Sequence, residues 1–320
     1  RFMDSLVLPN IEDDTKRERA HDELPQSAAG RTIMTTEPKF VPNEAVQIKI
    51  GDARLKVRLI DCVGYIVPDA MGYIEGDGPR MVSTPWFEES IPFDRAAEIG
   101  TKKVITDHST IGVLVTTDGS IGEIPRGAYV NAEERVVNEL KAINKPFVIL
   151  LNSTRPFDGQ TVKLKEELEE RYSVPVINVN CAQMRIEDIN IIMERILFEF
   201  PVCEIGINLP KWVETLEDNH QLRDGMLNAI KEVFKGVTKL REVKSCVSKF
   251  AEYEFIKKAY IDKVNLGKGK VLVEINTPDG LFYKVLSEIT GLEIEGEHKL
   301  VGLMKDLARV KKEYGRIEYA

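Results

Sequence analysis

An aspartate and a glycine, three residues apart, follow a strand-like segment early in this 320-residue chain. Basic and aliphatic side chains fill residues 56–60, and the segment ends in Asp61, Cys62, Val63 and Gly64. An aspartate at a strand tip can organise Mg²⁺, and the backbone N–H of such a glycine can face the γ-phosphate of a nucleotide. The spacing therefore predicts a site for a nucleoside triphosphate and its magnesium ion.

The phosphate loop that normally accompanies this motif is not found upstream of it. In P-loop NTPases a Gly-x-x-x-x-Gly-Lys-Ser/Thr loop cradles the phosphates with backbone N–H groups and a lysine. None of the 55 residues before residue 56 form that motif. We therefore expect that the chain opens inside the helix that follows the loop, and that nucleotide affinity falls sharply without it.

Two consecutive threonines, Thr35 and Thr36, lie in the polar segment before this strand. A threonine hydroxyl there can ligate Mg²⁺, and the backbone beside it can sense the γ-phosphate. Such a pair taken alone is more typical of a solvated loop. Together with Asp61, however, the pair completes a hypothesis in which Thr35, Thr36 and Asp61 are catalytic and Asp61 and Thr36 hold the metal.

A candidate base-recognition loop, Asn152-Ser153-Thr154-Arg155, follows the apolar run 147–151. GTPases carry Asn-Lys-x-Asp at this place, and the aspartate accepts two N–H groups of guanine. Arg155 stands where that aspartate would be, and each lost charged hydrogen bond is worth about 1.5–3 kcal/mol, so guanine selectivity should collapse. We predict that Asn152, Ser153 and Cys181 contact the nucleotide. Cys181 lies after the strand-like run 176–180, and an ordinary strand end explains it equally well.

The order of strand-like and helix-like segments predicts the fold of residues 1–200. Apolar runs predict strands over 45–50, 55–61, 111–117, 146–152 and 174–179, and helical spacing covers 132–143, 162–172 and 185–200. This alternation predicts an α/β, doubly wound and mostly parallel P-loop NTPase (GTPase-like) sheet, which one initial hairpin makes mixed. Ligands bind at the carboxyl ends of such strands. The long segments 13–43 and 64–92 fall where the two switch loops belong.

Pro201 marks a predicted boundary, after which residues 201–320 form a smaller, mainly helical α+β domain. Apolar residues spaced by three and four from 226 to 253 predict an amphipathic helix packed on its own domain, with Gly236 as a candidate break. A partner-binding coiled coil is the alternative. A strand over 270–276, a helix from 278 and a charged helix to 314 complete the domain.

Two glycine-bearing turns carry a simpler interpretation. Asp118-Gly119 could shape the rim of the site, but turn chemistry alone explains it. The segment 266–270 resembles a phosphate loop with the wrong spacing, so a basic turn after a long helix is the expectation.

Composition excludes several classes of protein. The net charge of −8 disfavours a nucleic-acid surface. The cysteines, Cys62, Cys181, Cys203 and Cys246, are too far apart for a zinc or disulfide framework, which indicates a reducing compartment. No apolar run approaches the roughly 20 residues of a membrane span, and we expect no signal peptide. We expect a soluble cytosolic fragment.

Several longer runs resemble the stage IV sporulation protein A family. They cover residues 32–40, 57–65, 116–121, 124–126, 132–137, 151–153, 282–288 and 311–314, and so extend over essentially the whole chain. The resemblance implies a morphogenetic ATPase of endospore-forming bacteria, descended from translation-factor-type GTPases. Such proteins use ATP hydrolysis to drive irreversible polymerisation into the basement layer of the spore coat.

The resemblance also implies residue roles and partners. Asp61 matches the family's Mg²⁺-organising aspartate, Gly64 the γ-phosphate glycine, and Thr35 and Thr36 the pair that senses the γ-phosphate. The implied partners are further copies of the protein, other spore coat proteins and a small amphipathic membrane peptide, bound with a C-terminal region that we expect to be absent after Ala320. The implied location is the mother-cell cytoplasm, on the outer forespore membrane.

Two other functions remain open at this stage. A non-enzymatic scaffold with a degenerate site would explain the missing phosphate loop and the substituted base loop. An RNA- or ribosome-associated GTPase follows from fold analogy alone, and the acidic charge and the missing guanine aspartate disfavour it.

Overall fold

Three parallel strands form the sheet that positions the candidate site. In the computed structural model, which describes residues 1–24, 38–51 and 53–317, these strands are β3 (Gly112–Thr117), β4 (Phe147–Asn152) and β5 (Val176–Val179). Their order is β3-β4-β5, with Thr117 beside Asn152 and Asn152 beside Val179. The carboxyl ends of all three strands therefore meet at one edge of the sheet.

Helices pack on this sheet because β4 is apolar on both faces. Phe147, Ile149 and Leu151 join a buried cluster with residues of α3 (Arg126–Ala142) and α4 (Gly159–Tyr172). Val148 and Leu150 are also buried, and their alternate positions put them on the opposite face. The helix α5 (Ile186–Phe198) packs against β4 as well. This layering agrees with the predicted mixed α/β class.

The hairpin that carries Asp61 is a separate sheet. Strands β1 (Lys39–Ile50) and β2 (Ala53–Asp61) pair antiparallel, with a register shift between Val41 and Val46. The prediction of a single mixed sheet is wrong for the described residues, because the hairpin pairs only with itself there. The predicted turn at Gly51 is present.

Several elements differ from those predicted. Helix α1 (Asp14–Asp22) occupies part of the segment expected to be a loop, and α2 (Phe93–Lys103) has no sequence prediction. Helix α3 begins six residues before the predicted start, at Arg126 after Pro125. Residues 64–92 are mostly irregular, with two pairs of two-residue strands.

The chain divides into two units, Arg1–Phe200 and Pro201–Ala320. The second unit has a three-stranded sheet of β6 (Glu204–Asn208), β7 (Lys258–Asn265) and β8 (Lys270–Asn276), in the order β6-β8-β7. Residues 266–269 connect β7 to β8, whose first residue is Lys270, so the expectation that this segment follows a helix is wrong. Among the described residues, no helix combines the length and apolarity that crossing a membrane requires.

The described part of the second unit contains five α-helices. They are α6 (Lys211–Glu214), α7 (Gln221–Val233), α8 (Leu240–Val247), α9 (Leu281–Thr290) and α10 (Glu297–Ile317). Of these, α7 and α8 fall in the segment of predicted apolar spacing. Gly236 has a φ of 79° and separates α7 from α8, which confirms the predicted break. Met226, Val243 and Phe250 are buried within this unit, as the packing interpretation requires.

Candidate functional site

The Asp61 carboxylate lies at the surface, at the tip of β2. Asp61 is exposed, and it lies opposite Lys39 in the register of β1 and β2. Partial desolvation raises the pKa of Asp61, while the nearby Lys39 and the backbone N–H of Cys62 act in the opposite direction. Asp61 is therefore not turned into packed hydrocarbon, and it is accessible to a ligand.

The turn after Asp61 is open. Gly64 has a φ of 81°, a conformation that favours glycine, and a Cβ added there would meet no atom within 4 Å. Burial raises the pKa of the Cys62 thiol, and the Gly64 N–H that bonds its sulfur opposes this shift. Sulfur is a weak acceptor. A phosphate oxygen would therefore compete well for the Gly64 N–H.

The donor set at Asp61 fits magnesium rather than a metal held entirely by protein ligands. Among the described residues, no three His, Cys, Asp or Glu side chains are grouped so that they could hold a metal ion. Mg²⁺ usually keeps several waters and binds through one or two carboxylates plus the phosphates of its substrate. One exposed carboxylate at Asp61 suits that mode. Thr35 and Thr36 lie outside the described residues, so their predicted roles stay predictions.

A second polar centre forms where β3 ends, around Asp118. One carboxylate oxygen accepts the Ser120 N–H at 2.9 Å and the Ser120 hydroxyl, and the other accepts the Thr161 hydroxyl at 3.1 Å. The Ser120 oxygen in turn accepts the Thr154 N–H at 2.9 Å. Asp118 therefore ties the end of β3 to the loop after β4 and to α4.

The pKa of Asp118 shows which influence dominates at this centre. Burial alone would raise the pKa of Asp118, but hydrogen bonds from Ser120, Ser153 and Thr161 outweigh burial and lower it. Sequence reasoning considered a place for Asp118 at the rim of the site but preferred turn chemistry, whereas Asp118 does line a polar cleft. The neighbouring serine was the one local signal, because the other partners lie more than 30 residues away.

A buried ion pair between Arg126 and Glu133 lies next to this centre. Arg126 donates to Glu133 at 2.9 Å and to the Thr116 hydroxyl at 3.2 Å, while the Tyr172 hydroxyl donates to Glu133 at 2.9 Å. Glu133 is only 3% exposed. Such a pair fixes geometry because removing one partner leaves a buried charge uncompensated. The start of α3 is thereby held against the end of β3.

The predicted base loop is engaged mainly in internal bonds. The Asn152 side-chain oxygen accepts the Cys181 N–H at 2.9 Å, which joins the loops after β4 and β5. Ser153 is fully buried, and its hydroxyl accepts the Arg155 N–H at 2.9 Å and lies 3.4 Å from the Thr161 hydroxyl. Cys181 is half-buried, and burial raises the pKa of its thiol.

A polar cleft of about 320 Å³ opens above these loops. It is lined by Asp118, Ser120, Ser153, Thr154, Arg155, Asp158, Gln160, Thr161 and Leu164. Of the predicted site residues, only Ser153 lines it. The structure therefore brings Asn152, Ser153 and Cys181 together at the sheet edge, whereas Asp61 and Gly64 form a separate feature outside this cleft.

Comparisons with known proteins agree with the two units. The model of the stage IV sporulation protein A ATPase domain matches residues 1–201, and that of the middle domain of the same protein matches residues 202–320. Stage IV sporulation protein A of Bacillus anthracis is 50% identical over 99% of this chain and 65% of its own length. Its Bacillus subtilis counterpart is 48% identical over 100% of this chain and 65% of its own.

A clostridial relative gives the same result. Stage IV sporulation protein A of Clostridioides difficile is 49% identical over 100% of this chain and 65% of its own length. The chain thus spans about 65% of the length of the curated relatives that it matches. On this evidence, the chain belongs to the stage IV sporulation protein A family and carries its ATPase and middle domains.

Proposed function

We propose that this chain is the nucleotide-hydrolysing part of a sporulation protein that uses ATP to assemble into the basement layer of the spore coat. The observation that carries the proposal is the Asp61–Gly64 turn, which keeps an exposed carboxylate at the tip of one strand and a nearby glycine N–H whose partner is the weak acceptor sulfur of Cys62. The match to a family ATPase domain over the same residues supports it.

In this proposal the residues of the turn act on the phosphate end of the nucleotide. A bound magnesium ion would neutralise charge on the β- and γ-phosphates. Asp61 would hold that ion through one carboxylate oxygen or a water, and Gly64 would donate its N–H to the γ-phosphate. On the basis of the family resemblance we assign Thr35 and Thr36 as the pair that senses the γ-phosphate and supports hydrolysis, and we assign Thr36 also as a second metal ligand.

The loop after β4 supports ATP over GTP. Arg155, exposed at the cleft, occupies the place of the aspartate that reads guanine. Asn152 and Ser153 are joined to Cys181, Arg155 and Thr161 instead of presenting a guanine-specific carboxylate. We therefore propose that the base is held mainly by shape and by the polar rim of the cleft.

Assembly and location are proposed on family membership alone. The protein would polymerise with copies of itself and recruit other spore coat proteins. It would lie in the mother-cell cytoplasm on the outer forespore membrane, where a small amphipathic membrane peptide would help to place it.

The test is ATP turnover by the full-length protein with Mg²⁺ present. Asp61→Asn removes the charge at nearly constant volume, and Asp69→Asn is the matched control because Asp69 is an exposed aspartate eight residues further on. We expect Asp61→Asn to lower kcat by about a hundredfold or more and the control to stay near wild type. Equal turnover in all three proteins would remove Asp61 from the mechanism.

A non-enzymatic scaffold is the second candidate, and the internal bonding of the base loop favours it. Hydroxyl and amide groups that are already satisfied by the fold have less to offer a ligand. A scaffold predicts no shift of the melting temperature on adding ATP and Mg²⁺ to the full-length protein. A clear rise would exclude it, because a ligand that binds the native state stabilises that state. A larger rise with GTP than with ATP would instead indicate a GTPase.

A further inference from the structure

The residue after Gly64 is held by a cluster that belongs to neither the Asp61 turn nor the polar cleft. The Tyr65 cluster consists of Tyr65, Glu98, Arg135 and Glu139. The Arg135 guanidinium lies over the Tyr65 ring, 3.9 Å from its centroid, and the Tyr65 hydroxyl donates to a Glu139 carboxylate oxygen. Tyr65 is thus bound on its face and at its hydroxyl by residues one turn apart on α3.

Two carboxylates orient Arg135 for this contact. Its guanidinium donates to Glu98 at 2.6 Å and to Glu139 at 3.4 Å. Glu98 lies on α2, whereas Arg135 and Glu139 lie on α3. A planar guanidinium can pair with carboxylates in its own plane while it stacks on a ring, and a lysine ammonium cannot do both. The cluster therefore ties one point of the irregular segment 62–73 to two helices.

Two contacts bear on where the Gly64 N–H lies: its own weak hydrogen bond to the Cys62 sulfur, and the cluster that holds the next residue, Tyr65. Packing at Gly64 itself does not fix the turn, because a Cβ there would meet nothing within 4 Å. Neighbouring Cα atoms are held about 3.8 Å apart by the peptide bond. The position of the Tyr65 backbone therefore limits how far the Gly64 amide can move from Asp61.

The Arg135–Glu98 ion pair of this cluster is too exposed to serve mainly as a source of global stability. The Arg135 and Glu98 side chains are 45% and 46% exposed. Exposed ion pairs of this kind contribute little to the free energy of unfolding. A local role, restricted to the segment that the cluster touches, fits its position better.

We propose that Tyr65 and Arg135 are positioning residues that set the Gly64 amide for its contact with the γ-phosphate. This inference rests on the proposed ATPase function and adds to it two residues outside the Asp-x-x-Gly motif. A misplacement of about 1 Å can reduce a rate by about a hundredfold, and it acts on kcat more than on ground-state binding.

The experiment measures kcat and KM for ATP in the full-length protein. Arg135→Met removes the stacking and the charge, Arg135→Lys keeps the charge, and Tyr65→Phe keeps the ring. The matched control is Arg171→Met, because Arg171 stacks over the Tyr172 ring at 5.5 Å and pairs with Glu134 in the same unit.

We expect Arg135→Met to lower kcat by about tenfold with KM within about twofold of wild type. Arg135→Lys should be nearly as slow, Tyr65→Phe should lose about twofold, and Arg171→Met should match wild type. Hydrogen exchange of the 320-residue chain should quicken at residues 62–70 in Arg135→Met and stay unchanged in β3 and β4. That result separates local displacement from unfolding.

Two outcomes distinguish failure of the inference from failure of the proposed function. If wild type hydrolyses ATP and Arg135→Met keeps its kcat, or loses no more than Arg171→Met, the positioning role is overturned and the ATPase stands. If wild type itself does not hydrolyse ATP, the proposed function fails and the inference fails with it.

Discussion

Two aspartates end two strands of the first unit, and their surroundings are opposite. Asp61 closes β2, is exposed, and has a raised pKa because desolvation outweighs its few partners. Asp118 follows β3, accepts bonds from Ser120 and Thr161, and has a lowered pKa despite burial. The fold thus stabilises the charge at Asp118 and leaves the charge at Asp61 to be stabilised by something else.

The glycines beside these aspartates repeat the contrast. Gly64 and Gly119 both have a positive φ, of 81° and 87°. A Cβ at Gly64 would meet open space, whereas a Cβ at Gly119 would lie 2.9 Å from the backbone nitrogen of Arg126. One loop is a packed part of the structure and the other keeps room around it. A ligand site needs such room around the Gly64 loop. The unfavourable φ at such a site is tolerated because the rest of the fold offsets its cost.

The largest expected effect separates the two glycines. Gly119→Ala combines an unfavourable φ with a clash against backbone and should lower the free energy of unfolding of the first unit by about 3–4 kcal/mol. Gly64→Ala suffers only the unfavourable φ and should lose about 1–2 kcal/mol. Denaturant unfolding followed by hydrogen exchange of β3 and β4 measures both. Equal losses would show that the Gly119 loop can relax and that the contrast is false.

A smaller effect separates the aspartates. Asp118→Asn replaces a carboxylate that accepts three bonds and should destabilise the unit by about 1.5–3 kcal/mol. Asp61→Asn should leave stability unchanged or slightly raised at neutral pH, because it removes a charge that the fold disfavours. The same unfolding assay tests both, and a loss at Asp61 equal to that at Asp118 would contradict this assignment.

The difference between the two loops also marks the limit of sequence reasoning. Asp61 was found because its motif is local: a strand, an aspartate and a glycine three residues on. Asp118 was assigned to a turn because its partners Ser153 and Thr161 come from other segments, which only folding brings near. The Tyr65 cluster was missed for the same reason, since Glu98 and Arg135 lie more than 30 residues away.

Strands were easier to predict than the sheets that contain them. The apolar run of β4 and the alternation of β2 are local patterns and gave nearly correct bounds. Whether the hairpin joins the parallel sheet depends on edge pairing, which no local pattern encodes. Helix α3 was predicted too short because none of its residues from 126 to 131 is buried, and its buried positions begin only at Glu133.

Ser120 offers a finer test of the packed loop. Ser120→Ala removes the hydroxyl that links Asp118 to the Thr154 N–H and should destabilise the unit by about 0.5–1.5 kcal/mol. Ser90→Ala is the control, because its hydroxyl pairs with the exposed Ser83 hydroxyl at 3.2 Å, outside the Asp118 network. Hydrogen exchange at the Thr154 amide should quicken in the first variant alone. Unchanged protection of that amide would remove Ser120 from the network.

The smallest effect is the sign of the pH dependence, and it tests the comparison most directly. The lowered pKa of Asp118 gives stability that is present above the ordinary value of 3.8 and is lost as the pH falls through the folded-state pKa. The raised pKa of Asp61 has the opposite effect on stability. The ionised Asp61 carboxylate lowers the free energy of unfolding above its folded-state pKa, and this loss disappears below the ordinary pKa of 3.8. At neutral pH, wild type should therefore have a larger free energy of unfolding than Asp118→Asn, and this difference should shrink on acidification. Wild type should instead have a smaller free energy of unfolding than Asp61→Asn at neutral pH, and this difference should also shrink on acidification. Differences of the same sign would mean that the fold treats both carboxylates alike, and Asp61 would lose its distinction as the charge left for a ligand.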